Sequence, residues 1–137
     1  MPRTDRHIPS ATPETKHFWD AAREGRLILQ QCRDCGHTYF PPRPFCSECN
    51  SRNVALRQAS GRARLYSYVI SHRAAPGFEA PYAIAVVELD EGPRMMTNII
   101  NVPQTPEALV LDMPLRVAFE KISDDISLPV FEPEGSR

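Results

Sequence analysis

Apolar and polar positions alternate with two different periods along this chain of 137 residues. Between residues 13 and 24, Phe18 and Ala22 fall at helical spacing beside charged neighbours, and this pattern predicts a short amphipathic helix. Thr12 is suited to cap that helix, and Gly25 is suited to end it. The next segment, RLILQQC, alternates apolar and polar side chains and predicts a strand.

The second half of the chain, from Gly61 onward, follows a period of two, which is typical of strands. Three strands form a predicted meander: residues 64–71, the segment YAIAVVEL, and the segment RMMTNIINV after an EGP turn. The segment TPEAL predicts a brief helical turn capped by Thr105, and PLRVAFEKI and SLPVFEP predict two further strands. Five strands with one helical turn between the third and the fourth predict a small Greek-key barrel of the OB type.

All four cysteines lie in one run, CRDCGHTYFPPRPFCSECN. Cys32 and Cys35 form one Cys-x-x-Cys pair, and a second pair follows after ten residues at Cys46 and Cys49. Each pair can wrap one side of a tetrahedral ion, so this spacing is typical of a four-thiolate metal site. The sequence therefore predicts one metal ion bound by these four residues. Zn²⁺ is the favoured ion, and iron stays open because thiolate tetrahedra suit both ions.

Two other uses of the cysteines compete with metal binding. Two disulfides would require an oxidising compartment, and the sequence shows no secretory signal that would take the chain there. A redox-active dithiol usually needs only one Cys-x-x-Cys pair. A site closed by four thiolates leaves no open position for a substrate or an activated water, so the metal is expected to hold the fold and to take no part in chemistry.

The overall composition is that of a folded chain, with 42% hydrophobic and 24% charged residues. The longest apolar run, residues 83–87, is too short to span a bilayer. The opening segment is rich in proline and charge and lacks the apolar core of a secretory signal. We therefore expect a cytoplasmic protein without a membrane span, in which residues 1–12 form a flexible arm.

Charge is distributed unevenly behind the formal net charge of −1. Residues 1–73 contain twelve Lys and Arg against six Asp and Glu, whereas residues 74–137 contain four against eleven, so the two halves carry +6 and −7. A basic face suits the phosphates of a nucleic acid or of a phosphorylated cofactor. The alternative is that the two oppositely charged parts attract each other.

Sequence motifs of nucleotide-binding and hydrolytic sites are absent: the chain has no P-loop, no Gly-rich dinucleotide turn and no serine elbow. The four histidines, at positions 7, 17, 37 and 72, have no motif partner, and each is expected to be solvated or structural. Because every thiol is assigned to the metal, no nucleophilic cysteine is left. We therefore expect no catalysis by this chain alone.

A loop between the first two predicted barrel strands, residues 72–81, is longer than a hairpin requires. Small residues surround one large apolar side chain, Phe78, and the sequence shows no packing partner for it. Loops at this place in OB barrels often border the ligand face, so Phe78 is a candidate contact for a partner or ligand. The alternative is a phenylalanine folded back over the mouth of the barrel.

Several segments together resemble the bacterial and archaeal family of zinc-ribbon OB-fold proteins associated with acyl-CoA. They are the Phe-Trp helix that ends in Gly25-Arg26-Leu27, the cysteine run with Pro41-Pro42-Arg43 inside it, the strand YAIAVVELDEG and the segment DMPLRVAFE. The resemblance implies a mainly β fold with an N-terminal helix, a rubredoxin-like zinc ribbon and a C-terminal OB-fold Greek-key barrel. It assigns the family's structural Zn²⁺ to Cys32, Cys35, Cys46 and Cys49.

The expected domain organisation has four segments: residues 1–12 as the arm, 13–31 as the helix and lead-in strand, 32–60 as the zinc ribbon, and 61–137 as the OB barrel and tail.

One departure from the family pattern lies before Met113, where Asp112 replaces the usual glycine. Either the turn differs there, or Asp112 tolerates the glycine conformation through a local side-chain bond.

Function is also implied by the resemblance. Family members accompany thiolases, lipid-transfer-protein-like enzymes of the thiolase fold, or MaoC-like enoyl-CoA hydratases. The expected function is thus a non-catalytic accessory subunit that binds or docks beside acyl-CoA in a hetero-oligomer, with a thiolase or retro-aldolase partner acting on a bulky thioester such as a steroid side chain. The alternatives are a partner of a MaoC-like hydratase and a nucleic-acid-binding OB module, which the acidic barrel half disfavours.

Overall fold

A computed structural model describes residues 8–134 of the chain. Much of the predicted arm, including His7, and the last three residues of the predicted tail lie outside the described residues. The described part contains a helix, α1, at Lys16–Arg23. Among residues 8–134 no helix is long and apolar enough to cross a membrane.

The helix begins later than the sequence pattern predicts. Residues 13–15 form a turn, in which the Thr12 backbone N–H donates to Thr15 Oγ1 at 2.9 Å and the Lys16 N–H donates to the Thr12 carbonyl at 2.8 Å. The predicted cap therefore closes a turn, and the helix starts at Lys16 instead of at residue 13. Its end agrees with the prediction, because Gly25 has φ +82° and its N–H donates to the Ala22 carbonyl at 3.0 Å.

A small antiparallel sheet forms the ribbon, with strand order β2-β1-β3. Its strands are β1 at Ile28–Cys32, β2 at Thr38–Tyr39 and β3 at Val54–Gln58. The sequence pattern predicts β1 and the return through Tyr39, but β3 is an addition that the structure provides. Strand β3 pairs with the whole of β1, from the Ile28–Gln58 pair to the Cys32–Val54 pair, so the ribbon continues directly toward the second half of the chain.

The second half is a curled five-stranded antiparallel sheet of order β6-β5-β4-β7-β8. Its strands are β4 at Arg62–Ser71, β5 at Tyr82–Leu89, β6 at Arg94–Thr97, β7 at Pro114–Lys121 and β8 at Ser127–Pro133. The two edges of the sheet meet at a parallel bridge between Ile99 and Phe131, where the Ile100 N–H donates to the Phe131 carbonyl at 2.8 Å. The predicted mainly β fold with a zinc-ribbon region and an OB-like barrel is confirmed.

One continuous core joins the helix, the ribbon and the curled sheet. Phe18 of α1 and Leu29 of β1 belong to the same buried cluster as Leu65, Leu115 and Phe131 of the sheet, and the last three expose none of their surface. Helix α1 contacts β1, β7 and β8. A helix of eight residues gains most of its stability from such packing, so the helix and the ribbon are fixed against the sheet.

Asp112 keeps the conformation that the family's glycine would provide. Its φ is +68°, in the left-handed region, and its N–H donates to the Leu65 carbonyl at 2.8 Å. One carboxylate oxygen lies 3.7 Å from an Arg64 guanidinium nitrogen. Aspartate is among the non-glycine residues that adopt this conformation most readily, so the turn before β7 persists despite the replacement.

Candidate metal centre and the surfaces around it

Two turns of matching geometry present the cysteines. In the first turn the Cys32 N–H donates to the His37 carbonyl, and the Gly36 N–H donates back to the Cys32 carbonyl, both at 2.9 Å. The second turn repeats this exchange from Cys46, with Asn50 in the place of Gly36. Gly36 has φ +82° and Asn50 has φ +62°, which explains why these two residue types follow the second cysteine of each pair.

The four sulfur atoms form a group of the size that one metal ion requires. Each pair of ligand atoms lies within 4.8 Å, and the Sγ atoms are 3.6 Å apart in both the Cys32–Cys49 and the Cys35–Cys46 pair. A regular tetrahedron with Zn–S bonds of about 2.3 Å has sulfur atoms about 3.8 Å apart. The sulfur atoms therefore fit a Zn²⁺ ion. Cys32 and Cys46 are buried and Cys35 and Cys49 exposed, so the site lies at the surface of the ribbon.

Backbone N–H groups that donate to these sulfur atoms favour the thiolate form, which is the form that binds a metal. The N–H groups of Cys35 and Asp34 donate to Cys32 Sγ at 3.4 and 3.3 Å and lower the pKa of the Cys32 thiol to about 7. At Cys49 the Ser51 N–H lowers the pKa, but the neighbouring sulfur atoms, that of Cys32 first, and burial raise it to about 12. A divalent cation at the centre would lower the pKa of all four thiols, because it favours the thiolate at every ligand.

Asp34, inside the first cysteine pair, links the two halves of the ribbon. Its carboxylate accepts a hydrogen bond from Ser51 Oγ at 2.5 Å and another from Asn53 Nδ2 at 3.1 Å. The Ser51 hydroxyl is the larger cause of the lowered pKa of Asp34, followed by the Asn53 amide. The first turn is thereby held against the segment that follows the second turn. Sequence reasoning missed this role, because a lone aspartate in a turn gives no sign of its partners.

The segment between the two turns, residues 40–45, is called the ribbon tip here and is anchored by two side chains. Gln30, a buried residue of β1, accepts the Arg43 N–H at 2.6 Å, and the Tyr39 hydroxyl donates to the Arg43 carbonyl at 3.1 Å. Phe40 packs on Phe18 of the helix, with ring centroids 5.4 Å apart. The tip is irregular, as its prolines predict, and it is also fixed on the helix.

An apolar groove of about 330 Å³ lies where helix, ribbon tip and barrel meet. Trp19 and Phe18 line it from the helix, Phe40 and Pro42 from the ribbon tip, and Met96 from β6. The sequence pattern placed none of these residues at a shared site. No local signal could have done so, because the groove combines three segments that are far apart in the chain.

Phe78 packs inside its own loop. Its ring is half-buried and stacks on Tyr82, with centroids 4.8 Å apart and planes 18° from parallel, and its N–H donates to the Ala75 carbonyl at 2.8 Å. Phe78 therefore has a packing partner, Tyr82, that the sequence pattern did not indicate. The ring also lines a second cavity of about 300 Å³ beside Asn98 and Glu120, so a contact with a partner or ligand stays a prediction.

Comparison with protein families divides the chain into two matched parts. Residues 19–55 match the rubredoxin-like zinc ribbon domain of ChsH2, and residues 56–120 match the C-terminal OB-fold domain of ChsH2. A DUF35 domain-containing scaffold protein of Methanocaldococcus jannaschii is 35% identical over 102 residues, which are 72% of this chain and 71% of that protein. The chain belongs to the DUF35 family. Its predicted structural zinc ribbon is confirmed by the family match and the cysteine cluster.

A solved structure described as an Ltp2-ChsH2(DUF35) aldolase contains a similar chain. The two chains are 33% identical with a TM-score of 0.82, and the match covers 92% of this DUF35 chain and 98% of the other. The predicted resemblance to a family of zinc-ribbon OB-fold proteins is thus confirmed.

Other relatives are longer than this DUF35 chain. A probable enoyl-CoA hydratase alpha subunit of Thermomonospora curvata is 33% identical over 96% of the chain, and a 3-oxo-4,17-pregnadiene-20-carboxyl-CoA hydratase alpha subunit of Mycobacterium tuberculosis is 32% identical over 92%. The chain spans about two fifths of the length of each hydratase subunit, 41% and 40% respectively.

Proposed function

We propose that this chain is a non-catalytic accessory subunit that docks on a thiolase-fold enzyme and completes it for a reaction on acyl-CoA thioesters. The observation that carries the proposal is the match to nearly the whole DUF35 chain of the Ltp2-ChsH2(DUF35) aldolase, at a TM-score of 0.82. The reaction is a retro-aldol cleavage or a thiolase reaction, and the partner subunit contributes the catalytic groups. The assembly is a hetero-oligomer.

The chemistry of the chain supports a positioning role. All four sulfur atoms face one another around a single ion position, so a bound Zn²⁺ is saturated by the protein and holds no substrate. A subunit of this kind accelerates a reaction by ordering loops of its partner or by closing the substrate channel. The basic first half of the chain suits the phosphates of CoA, and we propose that any contact with acyl-CoA involves that half.

The hydratase relatives favour a second candidate, in which the partner is a MaoC-like enoyl-CoA hydratase. Two hydratase alpha subunits match more than nine tenths of this chain, and the chain corresponds to about two fifths of each. The name of the mycobacterial subunit includes a steroid-derived CoA thioester, and we propose a bulky acyl group for the substrate of either partner. A nucleic-acid-binding function is less favoured, because residues 74–137 carry a formal charge of −7.

The test compares three samples on the same CoA thioesters: this chain alone, a thiolase-fold aldolase of the same cell alone, and the two proteins co-expressed. We expect turnover only, or at least tenfold faster, in the co-expressed sample. A parallel series with an enoyl-CoA hydratase of the same cell distinguishes the second candidate. Turnover by this chain alone, or equal rates of the partner with and without it, would refute the accessory role.

A further inference from the structure

An apolar patch lies on the outer face of strands β4, β5 and β6, opposite the core. Met96, Val69 and Tyr66 expose 73%, 62% and 46% of their surface. Ile84 and Val86 lie between them on β5, half-buried, and the strand register places Val86 beside Met96 and Ile84 beside Val69. Residues that alternate with these, such as Val87, are buried in the core, so the sheet is apolar on both faces.

Arginine residues border this patch at one end. Arg64 and Arg94 flank Glu88 across the three strands and contact its two carboxylate oxygens at 2.7 and 3.4 Å. The Arg94 guanidinium also lies 3.9 Å above the Tyr66 ring. Arg62 projects on the same face, and within residues 8–134 it forms no ion pair. Arg64 also lies 3.7 Å from an Asp112 carboxylate oxygen, so the border has three guanidinium groups against two carboxylates.

This face is where OB barrels commonly bind ligands, on their second and third strands. In OB modules that bind single-stranded nucleic acid, aromatic side chains on such a surface stack with bases inside a basic groove. Here the centre is aliphatic, and the nearby aromatic ring of Tyr66 is already covered by Arg94. An aliphatic centre with a charged border is instead the composition of a protein interface, in which the centre loses water and the rim stays wet.

Apolar surface also continues past the edge of the sheet. Met96 belongs to the outer patch and at the same time lines the groove formed with Trp19 and Phe40. A partner that covers the patch therefore meets a recess of about 330 Å³ at its edge, which is large enough to receive an apolar side chain. Solvent-exposed apolar side chains that adjoin a recess are the usual location of strong interface contacts.

We propose that the outer face of β4–β6, centred on Met96 and Val69, is the surface on which the partner enzyme subunit docks. The inference rests on the accessory function proposed above and adds the surface and the chemistry of its occupant. The matching surface of the partner is apolar, carries a protruding side chain that enters the groove, and places a carboxylate opposite Arg62. Charge complementarity at the border sets the orientation of the partner.

The experiment measures the affinity of the purified aldolase subunit for the wild-type chain and for Met96→Asp and Val69→Asp, each loaded with zinc. Both substitutions place a charge in the apolar centre, and we expect each to weaken binding at least tenfold. The matched control is Leu56→Asp on β3 of the ribbon, where a leucine of 56% exposure lies outside the patch. The control should bind as the wild type does. Zinc content and thermal unfolding verify that each variant is folded.

A charge reversal tests the border separately. Arg62→Glu should slow association severalfold and reduce its dependence on salt, with a smaller change in the dissociation rate. Unchanged affinity of Met96→Asp and Val69→Asp for a partner that the wild type binds would overturn the docking surface and leave the accessory function standing. A wild-type chain that binds no partner would overturn both. A patch that mediates self-association of this chain, or that binds a single-stranded oligonucleotide, would overturn the assignment of its occupant.

Discussion

Replacing Gly61 with alanine should destabilise the barrel more than the same change at another left-handed glycine. Gly61 stands where the ribbon passes into β4, has φ +87°, and accepts the Val117 N–H at 2.7 Å. A Cβ built on Gly61 would lie 2.9 Å from Val117 Cγ1. Gly25 offers a matched control, because its φ is +82° and a Cβ there meets no atom within 4 Å.

The magnitude follows from two contributions. A left-handed conformation costs an L-residue about 1–2 kcal/mol, and both substitutions share this cost. Carbon atoms are in favourable contact at about 3.5–4.0 Å, so a methyl group at 2.9 Å must displace Val117, whose β-branched side chain has few alternative rotamers. Such overpacking costs about 1–3 kcal/mol. We expect Gly61→Ala to lower the free energy of unfolding by about 2–5 kcal/mol, and Gly25→Ala by about 1–2 kcal/mol.

Urea unfolding of the zinc-loaded protein measures both values, and a double-mutant cycle with Val117→Ala identifies the contact. Because the smaller side chain makes room for the new methyl group, Gly61→Ala should cost about 1 kcal/mol less in the Val117→Ala background. Gly25→Ala should cost the same in both backgrounds. Equal losses for the two glycines, or no coupling between Gly61 and Val117, would refute this account of the junction.

Three further substitutions probe the loop, the turn and the metal. Phe78→Ala should lower the free energy of unfolding by about 1 kcal/mol, because the stack on Tyr82 is lost. If a titration shows that the same variant binds the partner with unchanged affinity, Phe78 serves packing alone. Asp112→Gly should raise the free energy of unfolding by up to about 1 kcal/mol, because glycine adopts a φ of +68° without steric cost. Asp112→Ala should lower the free energy of unfolding, because alanine is disfavoured at this φ, and urea unfolding measures both changes. Cys46→Ser removes a thiolate that has no exposed surface. We expect the zinc content to fall below half an equivalent by elemental analysis and partner binding to weaken. Full zinc content would contradict the ligand assignment.

Sequence pattern predicts the parts of this fold that depend on local spacing. The cysteine pairs define the metal centre because the ligand type and the spacing are both specific. The late strands follow from alternation, as in β7, where Leu115 is buried and its neighbours are not. Strand β3 shows no alternation of buried and exposed apolar residues, because its largest apolar side chain, Leu56, is exposed. The strand is formed by its pairing with β1, which a local pattern does not indicate.

The docking surface could not be read from the sequence for a related reason. Segment 82–89, YAIAVVEL, is apolar at both odd and even positions, so the pattern does not indicate which face is buried. The structure buries Ala83, Ala85 and Val87 and leaves Ile84 and Val86 on the outside. Only the curvature of the sheet and the position of the helix decide between the two faces, and both depend on contacts between distant segments.

The candidate metal centre and the proposed docking surface are connected through the ribbon tip. Residues 40–45 run from one cysteine turn to the other, so an ion shared by the two turns would hold both ends of the tip in addition to the hydrogen bonds that Gln30 and Tyr39 make to Arg43. Phe40 at the start of the tip packs on Phe18 and forms one wall of the groove beside Met96. We therefore expect loss of zinc to loosen that wall of the groove. In the accessory role proposed above, the structural ion would act on the partner's reaction through the shape of the surface that it maintains.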